Sequence, residues 1–150
     1  MNDRYLEDIR VGDRFHSGQH TLTEAGIIEF ARQFDPQPMH LDPEAAKGTI
    51  FGGLIASGWY TAAIVMKLRL ESDERVAGGL IGLGVEQVRW PRPARPGDTL
   101  HLESEVLDVH PSRSHPDHGV VRMRETALNQ RGEVVLTMVT SLWVPRRPTS

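Results

Sequence analysis

The stretch Ser57-Gly-Trp-Tyr-Thr-Ala-Ala-Ile-Val-Met-Lys-Leu-Arg-Leu-Glu71 determines which architecture the chain can adopt. We predict an α-helix here, and its first two-thirds are apolar almost all the way round, at Trp59, Tyr60, Ala62, Ala63, Ile64, Val65, Met66 and Leu68. A helix that is apolar on every side is buried on every side. Other parts of the chain must therefore wrap around this helix, and Lys67, Arg69 and Glu71 bring its end back to water.

Four later segments have the composition of β-strands that can wrap the helix: residues 80–90, 99–109, 120–127 and 134–144. Apolar and polar side chains alternate along parts of each, which is the period of a strand with one buried face. Turn sequences separate them, at Pro96-Gly97-Asp98 and Asn129-Gln-Arg-Gly132. With a weaker strand near residues 14–23, this pattern predicts an α+β fold in which a curved antiparallel sheet surrounds a long central helix.

Two further helices are predicted before the central one. Thr23 is a suitable N-cap for a helix with an apolar face. That helix must end near Phe34, because prolines follow at positions 36 and 38. Pro43, with Asp42 as the cap, suits the first turn of a short helix through Ala46.

Composition limits the classes of function. The 150 residues fit one domain, 1–150, since domains cluster at about 100–150 residues. We expect its core at about residues 11–144 and a frayed tail at 146–150. The absence of cysteine excludes disulfides, thiolate metal sites and cysteine nucleophiles. The formal charge of −3 leaves no basic stripe for phosphates and argues against nucleic-acid binding.

One uncharged stretch approaches the length of a membrane span. Residues 48–66 hold nineteen positions without a charge, against about 20 apolar residues for a transmembrane helix. Four glycines and several hydroxyl residues interrupt the stretch, so we predict a glycine-rich loop followed by the buried helix. No apolar targeting segment is visible at the amino terminus, and we expect a cytoplasmic location without membrane contact.

The segment Phe34-Asp35-Pro36-Gln37-Pro38-Met39-His40 carries the strongest chemical signal. A spacing of five would put Asp35 and His40 on different faces of a helix or a straight strand. The two prolines bend the segment out of both geometries, so the side chains can converge. A carboxylate and an imidazole are the usual groups of general acid–base catalysis. The alternative is that Asp35 caps local turns and His40 is a structural histidine.

The second signal is Ser57-Gly58 at the start of the central helix. The first N–H groups of a helix lack intrahelical partners and carry the positive end of its dipole. A glycine there lets a carbonyl oxygen approach the backbone closely, so this helix end can polarise a thioester or ester carbonyl. A tight turn entering a crowded core is the alternative interpretation.

Together these residues resemble the MaoC-like enoyl-CoA hydratase (hydratase 2) family. Asp35-Pro-Gln-Pro-Met-His40, the small Ala46 and Gly52-Gly-Leu-Ile-Ala-Ser-Gly58 follow the family's Gly-Asp-x-Asn-Pro-Leu-His, small residue and Ala-His-Gly. Residues 89–98, Arg-Trp-Pro-Arg-Pro-Ala-Arg-Pro-Gly-Asp, resemble its strand-to-strand turn. The resemblance covers about residues 11–144. The sequence departs from the motif where Phe34 replaces glycine, Gln37 replaces asparagine and Ser57 replaces histidine.

The resemblance implies a hotdog fold and reversible hydration of a trans-2-enoyl-CoA to a 3-hydroxyacyl-CoA, usually the R isomer. Asp35 and His40 would hold and activate water, and the Gly58 N–H would bind the thioester oxygen. The resemblance implies no metal or redox cofactor. Coenzyme A arrives as part of the substrate. A homodimer, or an assembly of dimers, is the expected state.

Three residues are expected to contact the substrate: Gln37, Ser57 and Arg89. The guanidinium of Arg89, with those of Arg92 and Arg95, could pair with coenzyme A phosphates. Alternatively these arginines are solvated charges that protect a sheet edge. Trp59 and Tyr60 are expected in the core or at an interface.

Two other hypotheses use the same fold: an acyl-CoA thioesterase and a non-catalytic acyl-CoA-binding subunit. The joint presence of Asp35 and His40 favours hydration, since hotdog thioesterases commonly use a single carboxylate near the helix. A metal site at His115-Pro-Asp-His118, near His110, is the lesser interpretation of a segment whose prolines, serine and glycine are typical of a solvated hairpin loop.

Overall fold

The computed structural model describes residues 3–149. One sheet and one long helix dominate it. After a 3-10 turn (Leu6–Asp8), the elements in chain order are β1 (Arg14–Thr21), α1 (Glu24–Phe34), α2 (Pro38–Leu41), α3 (Pro43–Lys47), α4 (Gly58–Glu71), β2 (Ile81–Arg89), β3 (Thr99–Pro111), β4 (His118–Leu128) and β5 (Val134–Pro145). The five strands form one antiparallel sheet in the order β1-β3-β4-β5-β2. None of these helices is long and apolar enough to cross a bilayer.

The sheet curves around α4, which packs against β1, β3 and β5. The α4 side chains of Ile64, Val65 and Leu68 enter a core that sheet residues complete from the other side, among them Leu100, Leu102, Ala127, Val135 and Leu136. Alternating burial along β3 and β4 shows that each strand turns one face to this core. The α+β hotdog fold is therefore confirmed.

The prediction that α4 is buried on every side is wrong for the single chain. The side chains of Trp59, Met66 and Leu70 are 61%, 46% and 56% exposed. A single sheet covers only one side of a helix, so these residues, spaced seven and four apart, form an open apolar face. The edge strand β2 is also exposed along nearly all of its length.

The prediction that Lys67, Arg69 and Glu71 bring the end of α4 back to water is wrong for Arg69. Lys67 and Glu71 are exposed, but Arg69 is 3% exposed. Its guanidinium turns inward and pairs with Glu74 and with Glu125 of β4, where Nε lies 3.3 Å from Oε1. The buried carboxylates explain why a cation remains inside.

Arg146 and Arg147, in the segment expected to fray, contact the 3-10 turn near the amino terminus. The Arg147 guanidinium lies 2.6 and 2.7 Å from the two Asp8 carboxylate oxygens. Arg146 Nε donates to Glu7 over 3.3 Å. Ser150 lies outside the described residues.

Candidate active site

The end of α1, the turn after it and the short helix α2 bring the predicted acid–base residues together. Helix α1 ends at Phe34, and Asp35 follows as its C-cap. The sequence analysis did not predict α2, which begins directly at Pro38; the first helical position tolerates proline because its N–H would be unpaired anyway. This geometry places His40 Nε2 3.4 Å from Asp35 Oδ2.

The contacts of His40 define which of its nitrogens carries hydrogen. The ring is 5% exposed, and Nδ1 lies 2.8 Å from the Ile55 carbonyl oxygen. Because a carbonyl only accepts, we infer that Nδ1 is protonated. In the neutral ring Nε2 then presents its lone pair toward Asp35. Two acceptors that face each other in this way can be bridged by a donor such as a water molecule.

Asp35 is held in its ionised form. Gln37 Nε2 donates to Oδ1 over 2.6 Å, and Ser57 Oγ donates to Oδ2 over 2.7 Å. These bonds, Gln37 first and Ser57 second, lower the pKa of Asp35 below its ordinary value, against the smaller opposing effect of burial. A carboxylate that accepts two such bonds favours its charged form. The site thus combines a negative charge with an imidazole lone pair.

Gly58 provides the third group. It is the first residue of α4, with Ser57 as the N-cap. No described residue accepts a hydrogen bond from its N–H. The Gly58 carbonyl accepts from Trp90 Nε1 over 2.9 Å. A Cβ at position 58 would lie 2.5 Å from Trp90 Cε2, so glycine is required while Trp90 keeps this position.

These groups share one cavity of about 390 Å³. Its polar end holds Asp35, His40 and Gly58, and its walls are largely apolar, formed by Met39, Phe51, Ile55, Ala56, Trp59, Trp90, Pro91, Pro93 and Ala94. A larger cavity, of about 730 Å³, lies between the chain ends near Tyr5 and Arg147. Among the cavities formed by residues 3–149, only the one at Asp35 and His40 combines an acid–base pair with a helix N-terminus, so it is the candidate active site.

The structure brings some of the expected site residues together and separates others. Asp35, His40 and Gly58 line the cavity, and Gln37 borders it through Asp35. Ser57 has no exposed surface and bonds to Asp35 instead of lining the cavity. Arg89 is exposed at the end of β2 and is not among the lining residues.

The neighbouring arginines differ from one another. Arg92 lines the cavity and pairs with Glu133, where its guanidinium lies 3.0 Å from Oε2. Arg95 turns inward and donates to the Phe51 carbonyl over 2.7 Å. Arg92 is therefore the arginine best placed at the cavity.

Sequence reasoning missed the aromatic wall. Trp59 was expected in the core or at an interface; it is exposed and lines the cavity, so the core part of that expectation is wrong. Trp90, which was not singled out, packs edge-to-face with it at 5.2 Å between ring centres. The available signal was the position of Trp90 between a strand and a proline-rich turn that follows it.

The segment from His110 to His118 packs two of its histidines against Trp143. The His118 ring stacks on Trp143 at 4.9 Å, and His115 meets the same ring edge-on at 5.2 Å. Within residues 3–149, no three histidine or acidic side chains are grouped so that they could hold a metal ion.

Comparison with known proteins identifies the family of the chain. The model of the MaoC like domain matches residues 10–129. The uncharacterized protein YdeM of Bacillus subtilis is 32% identical over 126 residues, which is 84% of this chain and 88% of that protein.

Solved structures are similar over almost the whole chain. The MaoC-like dehydratase from Rhodospirillum rubrum is 51% identical with a TM-score of 0.93, over 97% of this chain and 99% of that one. The R-hydratase PhaJ1 from Pseudomonas aeruginosa is 28% identical with a TM-score of 0.78, over 95% of this chain and 86% of that one. From the match over residues 10–129 and these likenesses, the chain belongs to the family of MaoC like domains.

Proposed function

We propose that the protein catalyses the reversible hydration of a trans-2-enoyl-CoA to a 3-hydroxyacyl-CoA. The observation that carries this proposal is the Asp35–His40 pair, 3.4 Å apart, in the same cavity as Gly58, whose N–H has no partner among residues 3–149. Hydration needs a base for water and a donor for the thioester oxygen, and these groups can supply both. The dehydratases and hydratases among the similar proteins support the reaction class.

The substrate thioester oxygen accepts a hydrogen bond from Gly58 N–H at the positive end of α4. A water molecule donates to Asp35 and to His40 Nε2. As the water oxygen bonds to C3, His40 takes one of the water protons, and the π electron pair of the C2=C3 double bond moves toward the thioester oxygen to give an enolate. The resulting enolate is stabilised by the helix N-terminus, and the imidazolium by Asp35. His40 then returns the proton to C2.

The R configuration at C3 is part of the proposal, supported by the likeness to an R-hydratase. Arg89 stays a candidate for coenzyme A phosphates, although Arg92 lies closer to the cavity. Two further points stay predictions from the sequence. The reaction needs no cofactor beyond the coenzyme A of the substrate, and the protein is located in the cytoplasm.

We propose a homodimer formed through β2 and the open face of α4. The exposed apolar side chains on these two elements are those of Trp59, Met66, Leu70, Ile81, Leu83 and Val85. β2 is an edge strand with unpaired backbone groups, and such edges pair readily with a second chain. Pairing of two copies would cover both elements.

The test follows the ultraviolet absorbance of crotonyl-CoA and longer or branched enoyl-CoAs, with free thiol measured in the same cuvette. We expect the enoyl band to decay without thiol release, and Asp35→Asn and His40→Gln to abolish the decay. Thiol release would identify a thioesterase instead. Binding without turnover across the panel, measured by calorimetry, would identify an acyl-CoA-binding subunit.

A further inference from the structure

Ser57 occupies an unusual position between the helix and the acid–base pair. It is fully buried and is the N-cap of α4. Its Oγ accepts from the Trp59 N–H over 3.3 Å and donates to Asp35 Oδ2 over 2.7 Å. One oxygen atom therefore caps the helix and binds the catalytic carboxylate.

The direction of each bond follows from the partners. A backbone N–H can only donate, so the Ser57 oxygen must accept from Trp59. A carboxylate only accepts when ionised, so the single hydroxyl hydrogen of Ser57 points to Asp35. The cap thus fixes the hydroxyl in the orientation that the carboxylate needs.

The two oxygens of Asp35 are held from opposite sides. Gln37 holds Oδ1, and Ser57 holds Oδ2, which is the oxygen that faces His40. Without Ser57, Oδ2 would be free to turn onto the imidazolium that forms during the reaction. A closed Asp35–His40 ion pair would then occupy the place of the water molecule.

We propose that Ser57 is a positioning residue that fixes the Asp35 carboxylate relative to the N-terminus of α4. The water molecule held by Asp35 and the thioester held by this helix end are then correctly placed for reaction. This inference rests on the proposed hydration. It replaces the sequence-based expectation that Ser57 contacts substrate, and it assigns a role to a serine where the family motif has histidine.

The test compares two N-cap residues. Ser57→Gly removes the hydroxyl, and glycine is itself a tolerated N-cap. Thr23→Gly is the matched control, because Thr23 caps α1 by accepting from Gly26 N–H over 3.0 Å and is exposed outside the cavity. We expect kcat to fall about tenfold in Ser57→Gly, with KM within about twofold, since a hydrogen bond to a charged group is lost. Thr23→Gly should retain the kcat of the wild type.

A second readout does not depend on activity. The ¹³C signal of the Asp35 carboxyl, followed by NMR against pH, should show a higher pKa in Ser57→Gly and no change in Thr23→Gly. The groups that face Asp35 are Gln37, His40 of α2 and Ser57, while Arg92 in the same cavity is paired with Glu133. His40 is titrated in parallel so that its charge is known at each pH.

The outcomes separate the two proposals. If the wild type hydrates no enoyl-CoA, the proposed function fails, and the Asp35 titration still measures the link to Ser57. If the wild type is active and Ser57→Gly retains both its kcat and its Asp35 titration, the positioning role is overturned. Equal losses of kcat and melting temperature in the two glycine variants would also overturn it, because they would reveal a capping effect alone.

Discussion

The two ends of α4 each hold a cluster of polar side chains, but the two clusters are organised in opposite ways. At the N-terminus, the neutral donors Gln37 and Ser57 surround Asp35 and lower its pKa. At the C-terminus, the Arg69 guanidinium lies between Glu74 and Glu125, whose side chains are 0% and 3% exposed. Burial is the largest influence there and raises the pKa of both carboxyls, although Arg69 opposes it.

The difference shows how one helix serves two purposes. The N-terminal cluster opens into a cavity and leaves an N–H for a ligand. The C-terminal cluster is closed by the sheet, where Ser104 of β3 also bonds to Glu125. We infer that the first end carries the chemistry and the second fastens the helix to the sheet. Variants at one end should therefore change activity, and variants at the other should change stability.

The largest effect is expected at the N-terminal end. Asp35→Asn and His40→Gln should each lower kcat for enoyl-CoA hydration by about 10²–10⁴-fold, the usual contribution of an acid–base group. The melting temperature should fall less than in the variants at the C-terminal end, because the amides preserve shape and only Asp35→Asn removes the contribution of an ionised carboxylate to stability. Initial rates and calorimetric melting on the same samples measure both quantities. A large drop in melting temperature would contradict the division between the two ends.

At the C-terminal end, Arg69→Met should have the next largest effect. It would leave Glu74 and Glu125 buried without their cation, and breaking a buried pair costs about 3–5 kcal/mol of unfolding free energy. Urea unfolding measures the loss. Lys67→Met is the control, since Lys67 pairs with Glu71 on the surface of the same helix and exposed pairs contribute about 0–1 kcal/mol. Similar losses in both variants would contradict the fastening role.

Gly58→Ala tests the contact at the reactive end. The added Cβ would meet the Trp90 ring, so the indole must move, and overpacking of this kind costs about 1–3 kcal/mol. We expect a lower melting temperature together with a loss of kcat, because Trp90 is a wall of the cavity. Trp90→Leu in the same chain should restore part of the stability. Additive losses in the double variant would show that Gly58 and Trp90 do not interact.

The smallest effect is a difference in pH dependence. The pKa of Glu74 is raised in the folded state above its ordinary value of 4.5. Its contribution to the free energy of unfolding is therefore fully present below pH 4.5 and is lost as the pH rises through the folded pKa. Asp35 has the opposite sign: its contribution is present above 3.8 and is lost as the pH falls through the lowered pKa.

Unfolding free energies of Glu74→Gln and the wild type, measured in urea from pH 4 to 8, test this contrast. The unfolding free energy of Glu74→Gln should rise relative to that of the wild type as the pH rises, because the variant carries no buried charge at this position. A constant difference across the range would show that Glu74 titrates normally. Asp3→Asn, at an exposed aspartate paired with Arg75, serves as the control.

Much of this arrangement could be predicted from local sequence. The strands after α4 begin and end near their predicted limits, because period-two patterns and turn residues act over a few positions. Asp35 and His40 could be paired because prolines restrict the chain between them. The resemblance to a known motif added Gly58 and the chemistry.

The remaining features depend on partners far away in the chain. Arg69 turns inward because Glu125 lies opposite on β4, and no local pattern contains that pairing. Ser57 points to Asp35 rather than to a ligand for the same reason. The open face of α4 could not be foreseen, since apolar composition predicts burial without saying whether the covering surface belongs to the same chain.

The contact between Trp90 and Gly58 also gives the molecule an optical signal. The chain has three tryptophans, and the Trp90 indole N–H donates to the helix residue that would bind the thioester. Its emission should therefore report occupancy of the cavity by an unreactive acyl-CoA. Trp59 shares this environment through edge-to-face contact. Trp143 stacks on His118, so titrations at one fixed pH keep its contribution constant.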